Sequence, residues 1–182
     1  MASKSISPGM TIFVKGKLYR VESSIKVTVP KGTPFIKTKL RELKSNKVVE
    51  KNFKPGEEIN DVSLKERQLE FLYPEGKDFL FLDKGTLDLV VVPNGIVGNL
   101  SCYLKEGVDL VASAYGDEIV SVELPQFLEL MVTKVASSEK EDLNAPSMAT
   151  LETGATVEVP PFIDVGDVIK VDTHLGEYIQ RV

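Results

Sequence analysis

The sequence predicts a mainly β protein built from three small β-barrel modules in tandem. Short segments that alternate polar and apolar residues, rich in β-branched and aromatic side chains, recur along the chain, and a period of two is typical of half-buried strands. Turn-forming Gly, Pro, Asn and Asp separate these segments at short intervals. We therefore expect modules at residues 1–61, 62–126 and 127–182.

Charge is unevenly distributed between these modules. Residues 1–61 hold 13 Lys and Arg against 6 Asp and Glu, a net charge of +7, whereas residues 62–182 hold 9 against 21, a net charge of −12. A basic head on an acidic body is suited to entering one RNA site in one orientation without coating RNA nonspecifically. The alternative is that small domains scatter in charge and the polarity has no function.

The first module is predicted to contain four strands around one long hairpin. The strands are expected at residues 11–14, 17–29, 35–43 and 47–53. Strands this short and numerous, with no helical period, predict a small curled barrel of the SH3 or KOW type.

The tip of the long hairpin has the sequence VPKGTPF. Pro30 fixes its own φ, and Gly32 permits a positive φ. Pro34 restricts Thr33 to extended geometry, so we expect a stiff tip. Strands rise about 3.3 Å per residue, so five residues beyond the sheet would carry Lys31 roughly 17 Å outward. Lys31 is either an aimed functional cation or an ordinary solvated lysine.

The second module is predicted to be a five-stranded barrel of the OB type. Its strands are expected at residues 68–73, 78–82, 87–92, 108–115 and 118–124. One short helix is expected at residues 99–106, capped by Asn99. The apolar residues that alternate in the first two strands are expected in the core, and they are Leu69, Phe71, Tyr73, Phe79 and Phe81.

The third module resembles the second in size and acidity, and we expect another OB-type barrel. Its strands are expected at residues 128–135, 155–159, 168–172 and 178–181, with a polar loop at residues 136–148. The likeness between the two modules is consistent with duplication.

The chain lacks the residue patterns expected of an enzyme. It contains neither GxxxxGK[ST] nor GxGxxG, so nucleotide hydrolysis and dinucleotide binding have no support. His174, the single histidine, lies in a predicted turn without a nucleophile motif, and one histidine cannot anchor the usual catalytic zinc. Cys102, the single cysteine, excludes an intramolecular disulfide and is expected as a small buried hydrophobe. We expect a non-enzyme with no catalytic residue, metal or cofactor.

Composition favours a cytoplasmic protein. Hydrophobic residues make up 42% of the chain, and no apolar tract is long enough to span a bilayer. The first ten residues lack the apolar core of a signal peptide. We expect no membrane partner.

The run ATLETGATVEVPPFIDVGDVIKVDT at residues 149–173, followed by GEYIQRV at the end of the chain, closely resembles the third domain of bacterial elongation factor P. The resemblance extends in order through SPGM, GKLYRVESS, KTKLREL, VVEKNF, EFLYPEG and EIVSVELPQFLEL. It covers the whole chain, and the C-terminal signature is long and specific.

This resemblance implies a tRNA-like L shape with a KOW-like domain followed by two OB domains. It implies binding to the ribosome between the P and E sites, where the factor promotes peptide-bond formation at stalled polyproline sequences by positioning the CCA end of the P-site peptidyl-tRNA. By position, Lys31 matches the family's tip residue, which in several branches carries an added group. We expect a monomer whose partners are the ribosome and this tRNA.

The tip departs from the family pattern, which is PGKG followed by two residues and Phe. Val29 and Pro30 replace the Pro-Gly pair, which leaves open whether a lysine-modifying enzyme acts on Lys31. Pro34 favours the alternative, an unmodified tip that gains from rigidity. A paralogue with altered targets, or a general RNA-binding OB-fold protein, stays open as a second function, although acidity counts against the latter.

The third module departs from the family pattern at one segment and matches it at another. Residues 139–143 stand where many relatives carry a Gly-Asp-Thr-like stretch that approaches the E-site codon, so messenger contact is not assigned to them. Tyr178 and Arg181 fit the family's GEYxxRV ending. They either contact the ribosome or its RNA, or are a packed tyrosine and a solvated arginine.

Overall fold

The computed structural model describes residues 5–136 and 145–182, and these residues form mainly β structure in three sheets of four, five and five strands. Tertiary contacts divide the chain into two compact units. One comprises Met1–Glu66 with Ser113–Ser121, and the other comprises Arg67–Ala112 with Val122–Val182. Across the described residues, no helix has the length and apolarity needed to cross a membrane.

The first sheet has four strands in sequence order, and the four expected strands are confirmed with small changes at their ends. They are β1 (Thr11–Val14), β2 (Lys17–Val27), β3 (Phe35–Glu42) and β4 (Val48–Phe53). Alternation along these strands directs one set of apolar side chains inward, where Ile12, Val21, Leu40 and Phe53 form a buried cluster. This small core supports the base of the β2–β3 hairpin.

A second cluster of buried hydrophobic residues in the first unit includes a residue of the hairpin segment 113–121. Val120 is fully buried against Leu18 and Leu43, and the rings of Phe13 and Tyr115 stack with centroids 6.3 Å apart. This hairpin segment therefore shares a hydrophobic core with the N-terminal sheet.

The second sheet has the order β7-β6-β5-β8-β9. Its strands are β5 (Lys65–Glu75), β6 (Asp78–Asp83), β7 (Leu89–Val92), β8 (Asp109–Tyr115) and β9 (Glu118–Glu123). The core prediction is confirmed for Leu69, Phe71 and Phe81, which are buried, while Phe79 is half-buried. The prediction was wrong for Tyr73, which is 54% exposed, because a register shift between Phe71 and Tyr73 interrupts the alternation.

The helix expected at residues 99–106 was also wrong in position and type. A one-turn α-helix, α1 (Asn94–Val97), begins after Pro93, and a 3₁₀ helix continues over Gly98–Tyr103. No side chain caps either helix, so Asn99 is not the predicted cap. Pro93 is the N-cap residue, and its φ of −60° and ψ of 143° give it the extended backbone that is typical of this position.

The third sheet has the order β12-β11-β10-β13-β14. Its spatial strand order, which is third, second, first, fourth and fifth in the chain order of the module, is the same as that of the second sheet. They are β10 (Phe127–Val135), β11 (Ser147–Leu151), β12 (Thr156–Val159), β13 (Val168–Asp172) and β14 (Glu177–Arg181). Strand β11 was missed by the sequence prediction, which assigned part of it to the polar loop. It pairs with both β10 and β12 and completes the five strands expected of this module.

Candidate functional site

The long hairpin continues beyond the strands that flank it. Strand β1 pairs with β2 only over residues 17–20, and β4 pairs with β3 only as far as Ile36. The final β2–β3 pair is Val27 with Phe35, four residues before Lys31. The tip thus lies past the end of the strand ladder, as expected.

The tip itself contains a hydrogen-bonded β-turn. The Gly32 N–H donates to the Val29 carbonyl oxygen at 3.2 Å, which puts Pro30 at the first central position, where its fixed φ is favourable. Gly32 does not have the positive φ that we expected of it. A Cβ at this position would instead lie 3.3 Å from Cβ and Cγ1 of Val29, so the glycine serves a close approach within the turn.

Lys31 occupies the second central position of this turn and is exposed. Thr33 is also exposed, whereas Pro34 is half-buried. Within residues 5–136 and 145–182, the ammonium group of Lys31 has neither a hydrogen-bond acceptor nor an ion-pair partner. Its charge is therefore available to a molecule outside the chain.

The basic side chains of the long hairpin differ in whether they are ion-paired, depending on how close they lie to the tip. The basic side chains of β3 are paired, and the pairs are Lys37–Glu50 at 3.1 Å, Lys39–Glu22 at 3.8 Å and Arg41–Glu22 at 2.5 Å. By contrast, Lys26 and Lys31 are exposed and have no such partner among the described residues. Unneutralised positive charge thus concentrates at the outer end of the hairpin, a feature that alternation alone did not reveal.

Tyr178 and Arg181 lie together on β14 in the second unit. Tyr178 is half-buried opposite Val171, and Arg181 is exposed opposite Ile169. A bulge between these two pairs puts both side chains on the same face, although their spacing of three would otherwise separate them. Arg181 Nη1 lies 3.4 Å from Asp167 Oδ2, so its guanidinium is exposed but paired.

The remaining reactive side chains have ordinary surroundings. His174 is exposed in the turn before β14, as predicted, and its backbone N–H donates to Asp172 at 2.8 Å. The Leu175 N–H, with the other donors to that carboxylate, lowers the pKa of Asp172. Cys102 is half-buried rather than buried, donates to the Asn99 carbonyl at 3.0 Å, and has its thiol pKa raised by burial.

Residues 139–143, at which messenger contact was left unassigned, lie outside the described residues. In the part of the chain that is described, no group of three or more His, Cys, Asp and Glu side chains could hold a metal ion.

Three family models match consecutive parts of the chain. The elongation factor P KOW-like domain matches residues 2–59, its OB domain matches residues 64–122, and its C-terminal domain matches residues 128–181. Elongation factor P 1 of Protochlamydia amoebophila (strain UWE25) is 61% identical over 181 residues, covering 99% of this chain and 98% of that protein. The chain belongs to the elongation factor P family.

Other relatives agree with this family. Elongation factor P 1 of Chlamydia caviae is 44% identical over 182 residues, covering 99% of this chain and 98% of that protein. A solved structure titled eukaryotic translation initiation factor 5A from Methanococcus jannaschii matches with a TM-score of 0.50 and 15% identity, covering 65% of this chain and 90% of that one. That match supports the fold alone. Family membership makes the chain a translation elongation factor.

Proposed function

We propose that this elongation factor binds the ribosome between the P and E sites and promotes peptide-bond formation at stalled polyproline sequences. In this proposal Lys31 reaches the CCA end of the P-site peptidyl-tRNA. The domain limits 1–61, 62–126 and 127–182, a monomeric state and a cytoplasmic site of action are parts of the same proposal. The ribosome supplies the chemistry and the factor supplies positioning, so no catalytic residue is needed.

The observation that carries the proposal is the exposed ammonium group of Lys31, which has no partner among the described residues and lies at the end of a hairpin that extends beyond its sheet. A cation there can contact the phosphates of a tRNA end electrostatically. Holding a poorly oriented prolyl donor or acceptor near its reacting geometry lowers the entropic part of the barrier. Pro30 and the hydrogen-bonded turn reduce the freedom that Lys31 would otherwise lose on binding.

The tip is tested by Lys31→Ala in a reconstituted translation assay with a polyproline reporter. We expect loss of rescue with unchanged circular dichroism, because the exposed ammonium group has no hydrogen-bond or ion-pair partner among the described residues. Lys54→Ala is the matched control, since Lys54 is an exposed turn lysine of the same unit and its loss changes net charge equally. Equal rescue by Lys31→Ala and the unmutated factor would refute the tip mechanism.

The state of Lys31 distinguishes two forms of this proposal. In the first form, a modification lengthens the Lys31 side chain. Mass spectrometry of protein from its native host would support this form if the peptide containing Lys31 carried extra mass. A bare tip relies on stiffness from Pro30 and Pro34, and the unmodified mass together with full rescue by recombinant protein supports that form.

We further propose that Tyr178 and Arg181 contact the ribosome. Both lie on one face of β14, and Arg181 is exposed. Tyr178→Ala and Arg181→Ala should weaken binding to ribosomes in a pelleting assay. Full binding by both variants would assign these residues to packing and solubility.

A further inference from the structure

The two faces of the N-terminal sheet differ in whether their cations are neutralised. On one face, three basic side chains of β3 are ion-paired with glutamates. The pairs join Lys37 with Glu50, and Lys39 and Arg41 with Glu22, at N–O distances of 2.5–3.8 Å. Because successive residues of a strand point to opposite faces, the residues between these cations lie on the other face, together with their cross-strand partners.

That other face, which we call the core-side face, carries the buried side chains Leu40 and Phe53. Lys26 pairs with Ile36, and Ile36 pairs with Phe53, so Lys26 lies on this face. Lys51 shares it, two residues before Phe53, and its Nζ atom lies 4.5 Å from the centroid of the Phe53 ring. Neither lysine has an ion-pair partner among the described residues. The core-side face therefore carries two positive charges that no carboxylate neutralises.

The core-side face is open from Lys26 towards the tip. Thr38 is 1% exposed, and Ser24, which pairs with it, donates a hydrogen bond to the Ile6 carbonyl oxygen at 3.0 Å. The N-terminal segment thus covers the face as far as this pair. In the next pair towards the tip, Lys26 is exposed and Ile36 is half-buried. A partner can therefore reach this part of the face from solvent.

The chemistry of the open part favours an RNA backbone as that partner. Residues 23–41 contain five Lys and Arg but no Asp or Glu, so the hairpin attracts polyanions. Strand β3 is paired on both of its edges, so this face offers side-chain charge but no free main-chain groups to an added peptide strand. A phosphate backbone needs only charge and position for binding.

The spacing of the two lysines suits more than one phosphate. They are separated by two strand spacings and two residues along the strand, which puts their Cα atoms about 12 Å apart. A stacked nucleic-acid strand advances about 3.4 Å per nucleotide, so Lys26 and Lys51 can contact different phosphates of one strand.

We propose that the core-side face of the long hairpin binds the phosphate backbone of an RNA strand through Lys26 and Lys51. This inference rests on the proposed binding to the ribosome and adds a contact that does not involve Lys31. The Phe53 ring restricts Lys51 before binding, which reduces the freedom that this side chain loses. The opposite face stays outside the contact because its cations are already neutralised. Ribosomal RNA and tRNA share the chemistry that the face recognises.

The test measures the affinity of the fluorescently labelled full chain for 70S ribosomes that carry a P-site tRNA, over a series of KCl concentrations. Lys26→Gln should weaken binding by about fivefold at low salt, which corresponds to one exposed charge pair. It should also reduce the slope of log K against log salt by about one, because one phosphate contact is lost. Lys26→Arg should retain both the affinity and the slope.

Lys37→Gln is the matched control. Lys37 is exposed on the opposite face, one residue pair away from Lys26, and its loss changes the net charge equally. Its affinity should stay within about twofold of that of the unmutated factor, because Glu50 already neutralises it. Equal losses in the Lys26 and Lys37 variants, or an unchanged salt slope in Lys26→Gln, would overturn the proposal.

Hydroxyl-radical footprinting of the same complexes identifies the RNA. Lys26→Gln should lose backbone protection at nucleotides that Lys37→Gln still protects, and their position assigns the strand to ribosomal RNA or to tRNA. Weaker binding without any change in an RNA footprint would assign this face to a ribosomal protein and refute the RNA contact. Failure of the unmutated factor to bind ribosomes would refute the proposed function as well, whereas normal binding with equal effects of both variants would refute only this inference.

Discussion

Replacement of Asp83 should destabilise the second unit more than its position at a strand end suggests. The carboxylate is 2% exposed at the end of β6. It accepts hydrogen bonds from the backbone N–H groups of Gly85 at 2.8 Å and Thr86 at 3.2 Å, and from Arg67 Nε at 2.5 Å. One buried group thus closes the β6–β7 turn and neutralises a largely buried guanidinium.

The magnitude of this effect follows from what Asp83→Ala leaves behind. Breaking a buried ion pair by removing one partner costs about 3–5 kcal/mol. Arg67 keeps 23% side-chain exposure and can be partly rehydrated, which reduces that cost. The two backbone donors belong to exposed residues and can bind water, so each adds less than about 1 kcal/mol. We expect a total near 3 kcal/mol, and about half of it for Asp83→Asn, which retains an acceptor oxygen.

The assay is urea denaturation followed through the amide NMR signals of β5 and β6. Asp88→Ala is the control, because Asp88 is exposed in the same turn, and it should change stability by less than about 0.5 kcal/mol. A loss below about 1 kcal/mol for Asp83→Ala would refute the argument that its contacts hold the turn.

The same carboxylate should make stability depend on pH. Burial raises its pKa, but the Gly85 and Thr86 N–H groups and Arg67 together outweigh burial, so the pKa of Asp83 lies below its ordinary value. A depressed pKa gives stability that is fully present above the unfolded value of about 3.9 and is lost as pH falls through the folded value. The difference between Asp83→Ala and the unmutated chain should therefore shrink below about pH 4.

Three further substitutions test packing, surface charge and turn geometry. Val120→Ala should lower the free energy of unfolding by about 2 kcal/mol, because the side chain is fully buried; thermal denaturation measures this. Glu118→Gln should change the free energy of unfolding by less than about 1 kcal/mol, because both side chains of its 2.5 Å ion pair with Lys44 are exposed; a larger loss would contradict that estimate. Gly32→Ala should keep the turn with a small shift of Val29, since the φ of Gly32 is not positive, and solvent protection of the amide at position 32 should persist.

Much of the strand pattern was predictable because alternation is a local property. Residues 11–14 and 168–172 were predicted with the bounds that the structure has. Strand β11 was missed because it is short, follows Pro146, and is fixed by pairing on both of its edges, which is a non-local cause. The helix was misplaced because apolar spacing around Leu104 suggested a helical face, whereas Leu104 is buried in extended geometry beyond the 3₁₀ helix.

At the tip, the sequence predicted an exposed lysine on a stiff turn but gave the wrong reason for Gly32. Glycine after proline and lysine suggests a positive φ, yet the structure uses the missing Cβ to bring Val29 close. Neither use can be distinguished from residue type alone, because both need a position without a side chain. The sequence also could not predict that Lys26 lacks an ion-pair partner among the described residues, because ion pairing along the hairpin depends on strand register.

Register also decides what the C-terminal motif can contact. In an unbroken strand, residues 178 and 181 would point to opposite faces, and one surface could not use both. The bulge in β14 restores them to one face, where Tyr178 is half-buried and Arg181 is held by Asp167. One partner surface can therefore use both side chains, and losses of ribosome binding in Tyr178→Ala and Arg181→Ala that do not add up in the double variant would show a shared contact.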